Sequence, residues 1–369
     1  MGLMGREFAS AVARWCHLLD DCPVPVLTAI CSTSKTRWQW FTDNFDTIKL
    51  ATTDYHELLA CPEVDAVYCA VPHHLHEQIY IDILNAGKHL IGEKPFGIDM
   101  KANSNILKVV KQHPELVVRC SSEFPYYPGA QYLIRWAKEK KYGRLIEVHS
   151  GFHHSSDMDP EKPINWKRQV KFNGEYGCMG DLGMHTHHIP FRMGWIPHTV
   201  YAELLKIVET RPDGNGNRVP CDTWDNAIIL CKAIDPDHKK EFLLQFETKR
   251  MAPGATNTWF IEIYGTHGSA KFTTHDPRSF YTLTTSGKEQ GWTRTDIGSQ
   301  SAVPTITGSI FETGFSDAFQ QMLAAFMYEF REDNVKHPFP MVTPDETALS
   351  HRLLTRALES YRTGRCVEF

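Results

Sequence analysis

Three ionisable residues have types and spacing that suit the removal of hydrogen from an alcohol. Asp181 and His185 are four positions apart, so on a helix both side chains lie on one face. Free histidine titrates near neutral pH, which favours His185 as the general base. Lys94 supplies a positive charge that stabilises an alkoxide and can anchor a second hydroxyl. Asp181 either orients His185 or binds a substrate hydroxyl, and such a set would suit chemistry at a carbon bearing a hydroxyl group. Taken alone, the alternatives are an ordinary pair of side chains on a helix surface for Asp181 and His185, and an ordinary loop for Lys94-Pro95.

The chain start has the spacing of a phosphate-binding turn. Gly2 and Gly5, with Leu3 and Met4 between them, match the last two glycines of G-x-G-x-x-G and come directly before a predicted helix. The first glycine and the strand before it would precede Met1. We therefore expect the natural chain to begin roughly ten residues upstream, with a strand of about 5–6 residues. The alternative is that these two glycines only form a flexible chain start.

The end of the next predicted strand bears on the choice of cofactor. Sites selective for NAD place an acidic residue there to bind the ribose 2′-hydroxyl. This sequence has Ser32, Thr33 and Ser34 instead, followed by Arg37. Hydroxyl groups and a guanidinium suit a 2′-phosphate, so NADP is favoured and NAD remains possible. A solvated strand end without a ligand is the alternative.

The hydrophobic pattern divides the chain into two regions. Strands alternate with helices over residues 1–121, which predicts a parallel sheet that lacks its first, central strand. Strand-like runs dominate residues 122–369, which predicts an open, mixed, mainly antiparallel sheet with flanking helices. We therefore assign the α/β fold class, with a dinucleotide-binding domain at 1–121 and a substrate-binding and oligomerisation domain at 122–369. The main expected strands are 24–31, 48–52, 64–71, 89–91, 116–120, 144–153, 199–208, 223–233, 241–248, 259–264 and 270–272.

The composition narrows the class of protein. A length of 369 residues predicts two domains, and the fractions of apolar (42%) and charged (22%) residues are those of a globular protein. A net charge of -5 argues against a nucleic-acid partner. The sequence contains no apolar run of membrane-spanning length. Ten scattered cysteines without a C-x-x-C pair suggest reduced thiols, and hence a cytoplasmic location.

Three further motifs complete a family pattern. They are Val71-Pro72-His73-His74-Leu75-His76, Gly92-Glu93-Lys94-Pro95 and Gly180-Asp181-Leu182-Gly183-Met184-His185. In this order, and with Gly2 and Gly5, they resemble the glucose–fructose oxidoreductase/inositol dehydrogenase (Gfo/Idh/MocA) family over nearly the whole chain.

The resemblance implies a Rossmann domain followed by an α/β domain, with NAD or NADP as cofactor. It also implies a homodimer or homotetramer formed through the second sheet, and a cis Lys94–Pro95 bond. The family's catalytic residues correspond to Lys94, Asp181 and His185. Further cofactor contacts are expected from Val71, Pro72, His73, His76, Glu93 and Lys94.

The implied substrate is a small sugar, inositol or glycoside. We expect Glu123, Trp166 and His188 to contact it. The sequence departs from the family where His73 replaces a frequent Asn, and where Glu123-Phe124-Pro125 replaces a stretch that often carries Asn and Arg. The many histidines also raise the question of a metal site. Because the adjacent His187 and His188 would point apart on a helix, we expect no metal.

Two other functions are compatible with the same pattern. One is a glycosidase that works by transient oxidation with tightly held NAD. The other is a dinucleotide-binding sensor without catalysis, which would not need Lys94, Asp181 and His185 together. Release of free NAD(P)H during turnover would distinguish a simple dehydrogenase from both.

Overall fold

The computed structural model describes residues 1–20, 22–298, 301–308, 310–333 and 335–369. Its first region contains short parallel strands that alternate with helices, as the sequence predicted. The strands are β1 (Ala29–Cys31), β2 (Leu50–Thr52), β3 (Ala66–Cys69), β4 (His89–Gly92) and β5 (Val118–Cys120), and the helices are α1 (Leu3–Ala13), α2 (Gln39–Asn44), α3 (Tyr55–Ala60), α4 (His76–Asn85) and α5 (Met100–Val110).

These strands form two parallel sheets. One sheet pairs β1 with β2, and the other has the order β3-β4-β5. Among the described residues, no strand joins β1 to β3, which agrees with the expectation of a sheet without its central strand. Helix α1 packs on both sheets: Phe8 stacks on Tyr68 of β3 at 4.5 Å, and Ala9 is buried with Ile30 of β1. Where the natural chain begins stays a prediction.

The predicted strand over 24–31 is wrong in its first half. Only Ala29–Cys31 pairs as a strand. Pro23 and Pro25 explain the difference, because a proline has no N–H group to donate to a sheet. A short antiparallel hairpin over 210–212 and 218–220 lies outside the strands expected from the sequence.

The second region is built around a large mixed sheet. Its strands include β6 (Leu145–His153), β7 (Pro197–Leu205), the hairpin strands β8 (Thr210–Pro212) and β9 (Arg218–Pro220), β10 (Asn226–Ile234), β11 (Glu241–Lys249), β12 (Thr258–Gly265), β13 (Gly268–Thr273), β14 (Ser279–Thr284), β15 (Thr293–Asp296) and β16 (Val367–Glu368). The helices are α6 (Pro128–Lys138), α7 (Val170–Asn173), α8 (Cys178–Arg192), α9 (Phe315–Met327) and α10 (Pro344–Thr363).

Nine of these strands form one sheet in the order β15-β14-β13-β12-β6-β11-β10-β7-β16. Only the β6–β11 pair is parallel, so the expected mixed, mainly antiparallel sheet is confirmed. Helices α6, α8 and α10 pack on the sheet, and buried and exposed side chains alternate along β10. The strands β14 and β15 extend the sheet beyond the sequence expectation.

The end of the chain returns to the first region. In α9, Asp317 accepts a hydrogen bond from Arg14 Nη1 at 2.8 Å, and Gln320 donates one to the Arg14 carbonyl at 2.6 Å. Helix α10 packs on α5, α8 and β7. The domain boundary at residue 121 directly follows β5 and stays a prediction.

Two expectations from the composition, reduced cysteines and the lack of a membrane-spanning segment, can be compared with the structure. All ten cysteines are free thiols. In the part of the chain that the structure describes, none of the helices is long and apolar enough to cross a membrane.

Candidate active site

The loop after β4 carries Lys94, and its close packing begins at Gly92. A Cβ atom at Gly92 would lie 2.7 Å from the rings of both Phe96 and Tyr80, so the strand can end here only with glycine. The Lys94–Pro95 peptide bond is cis, as the resemblance implied. The loop is therefore a tightly packed turn at the carboxyl edge of the parallel strands.

Hydrogen bonds from two helices fix this loop. The Tyr80 hydroxyl donates to the Glu93 carbonyl at 3.0 Å, and His351 Nε2 donates to the Pro95 carbonyl at 2.7 Å. His76 Nδ1 accepts a hydrogen bond from the Gly97 N–H group at 3.3 Å. Lys94 thus extends from a backbone held by α4 and α10.

Helix α8 carries the other two predicted catalytic residues in its buried core. Asp181 lies in the first turn, where the positive end of the helix dipole favours a carboxylate. His185 follows one turn later, and its carbonyl accepts a hydrogen bond from Trp259 Nε1 at 2.7 Å. Both side chains are 3% exposed. The sheet therefore holds α8 at the position of His185.

Asp181 binds cations from three different segments. Lys94 Nζ donates to the Asp181 carbonyl at 2.5 Å and to Oδ1 at 2.9 Å. Lys167 Nζ lies 3.0 Å from Oδ2, and Arg250 Nη2 lies 3.5 Å from the same oxygen. An ammonium group has three donors. Two of those on Lys94 go to Asp181, which leaves one for a substrate oxygen.

This arrangement fixes the charges of the group. Burial alone would raise the pKa of Asp181, but Lys167, Lys94 and Arg250 hold it well below its usual range. Asp181 in turn raises the pKa of Lys94, against the effect of burial. For Lys167, burial and the positive charge of Lys94 lower the pKa, and the attraction of Asp181 does not offset them. Asp181 is therefore ionised at physiological pH and is paired with Lys94 and Lys167.

His185 lies in a largely aromatic pocket. Its ring makes edge contacts with Phe124 at 5.1 Å and with Phe152 at 5.4 Å, and its Nδ1 atom lies 3.2 Å from Ser122 Oγ. Burial, with the charge of Lys94, holds the pKa of His185 well below its ordinary value. The imidazole is therefore neutral at physiological pH, as a general base must be.

The predicted cofactor residues lie around one edge of the parallel sheets. Gly2 is the N-cap of α1, and the first N–H groups of the helix, including those of Leu3, Met4 and Gly5, are open for an anion. A Cβ atom at Gly2 would meet no atom within 4 Å, so the helix end is accessible. The remaining positions follow β1, β3 and β4 and comprise Ser32, Thr33, Ser34, Arg37, Val71, Pro72, His73, His76, Glu93 and Lys94.

These residues fit a dinucleotide. Arg37 is exposed just past the end of β1, a few residues after Ser32 and Ser34 in the sequence. An open helix N-terminus suits a diphosphate, and an exposed guanidinium suits a further phosphate. In the candidate active site, Lys94 comes from the loop after β4, and Asp181 and His185 come from α8. His73 bridges the two regions, because its Nδ1 atom donates to the Asn173 carbonyl at 3.0 Å.

The predicted ligand residues differ in whether their polar atoms are already bonded. His76 is fully buried, and its Nε2 and Nδ1 atoms bond to the main chain at Val71 and Gly97. The ring of His188 packs 4.9 Å from that of Phe339, and among the described residues its nitrogens have no hydrogen-bond partner. The Trp166 ring lies 4.8 Å from that of His73. The ligand contacts expected of these residues stay predictions.

Four residues of this site were not assigned from the sequence. Lys167 and Arg250 bind Asp181, and Ser122 contacts His185. The fourth is His154, whose pKa is influenced by the charges of Asp181, Lys167 and Lys94. For Lys167 the sequence offered one weak signal, namely its position next to Trp166, an expected substrate contact. Ser122, His154 and Arg250 closely follow three strands that are distant in the sequence, and no sequence pattern pointed to them.

Comparisons with known proteins agree with this geometry. The model of the oxidoreductase family with an NAD-binding Rossmann fold (GFO_IDH_MocA) matches residues 1–119. The chain is 30% identical over 278 residues to the uncharacterised oxidoreductase YrbE of Bacillus subtilis, covering 73% of this chain and 70% of YrbE. It is 25% identical over 230 residues to levoglucosan dehydrogenase of Pseudarthrobacter phenanthrenivorans, covering 60% of this chain and 58% of that protein.

A solved structure shares the complete architecture. Levoglucosan dehydrogenase in complex with NADH and L-sorbose superposes with a TM-score of 0.86 at 21% identity, covering 100% of this chain and 96% of that one. The fold is thus an NAD-binding Rossmann domain followed by a mixed-sheet domain. The chain belongs to the Gfo/Idh/MocA family of oxidoreductases.

Proposed function

We propose that this protein is an NAD(P)-dependent oxidoreductase that acts on the CH–OH group of a sugar, inositol or glycoside. The observation that supports this proposal most strongly is the ion pair of Lys94 with Asp181, with His185 one helical turn after Asp181 in α8. A neutral, buried imidazole beside a fixed ammonium group is suited to move a proton from an alcohol while positive charge stabilises the oxygen. The nicotinamide, when bound, supplies the hydride acceptor.

Each residue has a distinct proposed role. His185 accepts the hydroxyl proton. Lys94 stabilises the developing negative charge on the oxygen with its remaining donor. Asp181 holds Lys94 and Lys167 in place, and Lys167, whose side chain is 41% exposed, binds a neighbouring hydroxyl. Glu123 and Trp166 are proposed to line the same pocket.

The substrate class rests on the lining of the pocket and on relatives. Several hydroxyl groups on one small ring would match the several charged donors that surround Asp181. Levoglucosan dehydrogenase, the relative described above, is named for a sugar derivative. For the cofactor we propose NADP over NAD, because Ser32 and Arg37 stand where an acidic residue would select NAD.

The test is a screen of sugars, anhydrosugars, inositols and glycosides with NAD and with NADP, followed by absorbance of the reduced cofactor. The proposal expects net reduction of cofactor with at least one polyol, and loss of that signal in His185→Ala. Redox-neutral release of an aglycone would indicate the glycosidase instead. Cofactor binding without any turnover across the panel would favour the sensor.

A further inference from the structure

The Nδ1 atom of His185 has two buried neighbours. Ser122 Oγ lies 3.2 Å from His185 Nδ1, and Glu123 Oε2 lies 4.0 Å from the same nitrogen. Ser122 is 1% exposed and Glu123 is 3% exposed. A neutral imidazole carries its proton on one nitrogen only. Whatever bonds to Nδ1 therefore decides whether Nε2 is a proton acceptor or a donor.

Glu123 is a partner whose own proton is in question. Burial, with the nearby carboxylate of Glu93, raises the pKa of Glu123 to about 8. Glu93 is itself only 7% exposed and accepts a hydrogen bond from the Tyr68 hydroxyl at 2.6 Å. The Glu123 carboxyl thus changes between acid and carboxylate at about pH 8, well above the usual range of a carboxyl group.

Several charged and titratable groups face this pair. Asp181 is held as an anion and the pKa of Lys94 is raised, so both keep their charge near His185. Burial lowers the pKa of His154 to about 4 and that of His188 to about 3, so both are neutral. Glu123 is faced by Glu93, Lys94 and, from α1, Glu7. Of these groups, Glu123 is the one that lies within 4.0 Å of His185 Nδ1 and has a pKa raised to about 8.

We propose that Glu123 is the proton partner of His185 Nδ1 and that its ionisation selects the tautomer of His185. As an acid, Glu123 donates to Nδ1, so the imidazole proton is on Nε2, and Nε2 cannot accept another. As a carboxylate, it accepts the Nδ1 proton, and Nε2 becomes the base. Glu123 is a positioning residue in this scheme, which rests on the proposed function of the site.

The proton transfers balance in both directions. During oxidation the substrate O–H bond breaks and an Nε2–H bond forms, while the Nδ1–H bond breaks and a carboxyl O–H bond forms on Glu123. Reduction reverses each step, and the protonated Glu123 is then the source of the proton. The 4.0 Å separation requires the two side chains to approach by about 1 Å for a direct hydrogen bond.

The first test is the pH profile of kcat/KM for oxidation. The wild-type protein is expected to gain activity as pH rises through the pKa of Glu123. In Glu123→Gln the amide cannot ionise, so this rise disappears and the activity at alkaline pH falls on the order of 10²-fold. Glu77→Gln is the matched control, because it replaces a carboxylate on α4 that accepts a hydrogen bond from Asn105 and is not part of the site, and it keeps the rise. A persistent rise in Glu123→Gln, or an equal loss in Glu77→Gln, overturns the proposal.

The second test needs no turnover. Protein labelled with ¹⁵N-histidine reports the tautomer of each ring by NMR, and His185→Gln assigns the signal. We expect the proton to move from Nε2 to Nδ1 as pH rises in the wild-type protein, and to stay on Nε2 in Glu123→Gln. A tautomer that is the same on both sides of the titration refutes this inference even if the enzyme turns over. Conversely, a failed substrate screen leaves this measurement decisive.

Discussion

At the scale of single residues, Asp181 organises the candidate site. Its carboxylate binds Lys94, Lys167 and Arg250, which come from three separate segments. One buried carboxylate cannot neutralise three cations, so the group keeps a net positive charge. That charge favours the oxygen anion which forms when an alcohol loses its proton.

The two predicted catalytic groups can be tested together. Lys94→Ala and His185→Ala should each lower kcat roughly 10²–10⁴-fold, because each removes a group that acts on the reacting oxygen. Cofactor affinity, measured by fluorescence titration, should change little. Near-wild-type turnover in His185→Ala would remove it from the role of base.

Lys167 should affect substrate binding more than chemistry. Lys167→Met removes one charged donor, worth about 1–3 kcal/mol, from the exposed side of Asp181. We expect KM to rise by one to two orders of magnitude, with a smaller fall in kcat than in His185→Ala. Lys171→Met is the control, since that exposed lysine lies against the Phe172 ring instead. Equal effects of the two substitutions would contradict this role.

The choice of cofactor depends on Arg37. Arg37→Ala should weaken NADP binding by about 1–3 kcal/mol and leave NAD nearly unchanged, because only NADP has a 2′-phosphate. Calorimetric titration of both cofactors measures this. Lys35→Ala removes a neighbouring positive charge that lies over the Trp38 ring, and it is the matched control. An equal loss for NAD and NADP would refute the assignment.

Sequence reasoning proposes site residues at this scale where a motif is local. Lys94, Asp181 and His185 were proposed because each is part of a short pattern of neighbouring residues, and the structure brings Lys94 and Asp181 into contact. Lys167 and Arg250 reach Asp181 only through the fold, and no spacing predicts that. The burial that changes the pKa of Glu123 is likewise a property of packing.

At the scale of elements, the support of the Lys94 loop by α10 is testable. His351→Leu leaves the Pro95 carbonyl without its donor, at a cost of about 1–3 kcal/mol, and should lower kcat as Lys94 shifts. His187→Leu is the matched control. His187 is equally buried, and among the described residues its ring nitrogens have no partner, so no hydrogen bond is lost.

Thermal unfolding and turnover of both variants provide the comparison. We expect a lower melting temperature and lower kcat for His351→Leu only. A similar loss in both would mean that volume, and not the hydrogen bond, is what matters at these positions.

Element boundaries were predictable where the end signals are strong. Helix α10 starts after Thr343, whose side chain caps it in a reciprocal pair with Glu346, and it ends at Gly364 in the left-handed region. Strand β1 was harder, because its apolar residues continue backward across two prolines. A hydrophobic run shows burial but does not show where hydrogen-bond pairing begins.

At the scale of the whole molecule, the outer face of the nine-stranded sheet carries an apolar patch on β10 and β11. Ile228, Leu230 and Ile234 of β10 and Leu243 of β11 are each 39–41% exposed. Such a face on adjacent strands favours burial against a second copy. We therefore propose that the protein forms a homo-oligomer through this sheet, as the family resemblance implied.

Leu230→Glu should weaken this association, because it would place a charge within an apolar contact. Sedimentation velocity over a range of concentrations is the measurement, and we expect a shift towards monomer. Ile310→Glu is the control, since Ile310 is 78% exposed and lies outside the sheet. If both variants keep the wild-type sedimentation coefficient, the sheet face is not the interface.

The contact between α1 and α9 also sets an order of events during synthesis. Arg14 and Asp317 are 303 positions apart, and the apolar side chains of Ala11, Trp15 and Leu18 share one core with Phe319 and Met322. At the usual pace of translation, roughly 15–60 s separate the appearance of the two helices. During that interval the apolar side chains of α1 lack the partners that α9 supplies. The core that the two helices share is therefore completed only when nearly the whole chain has been made.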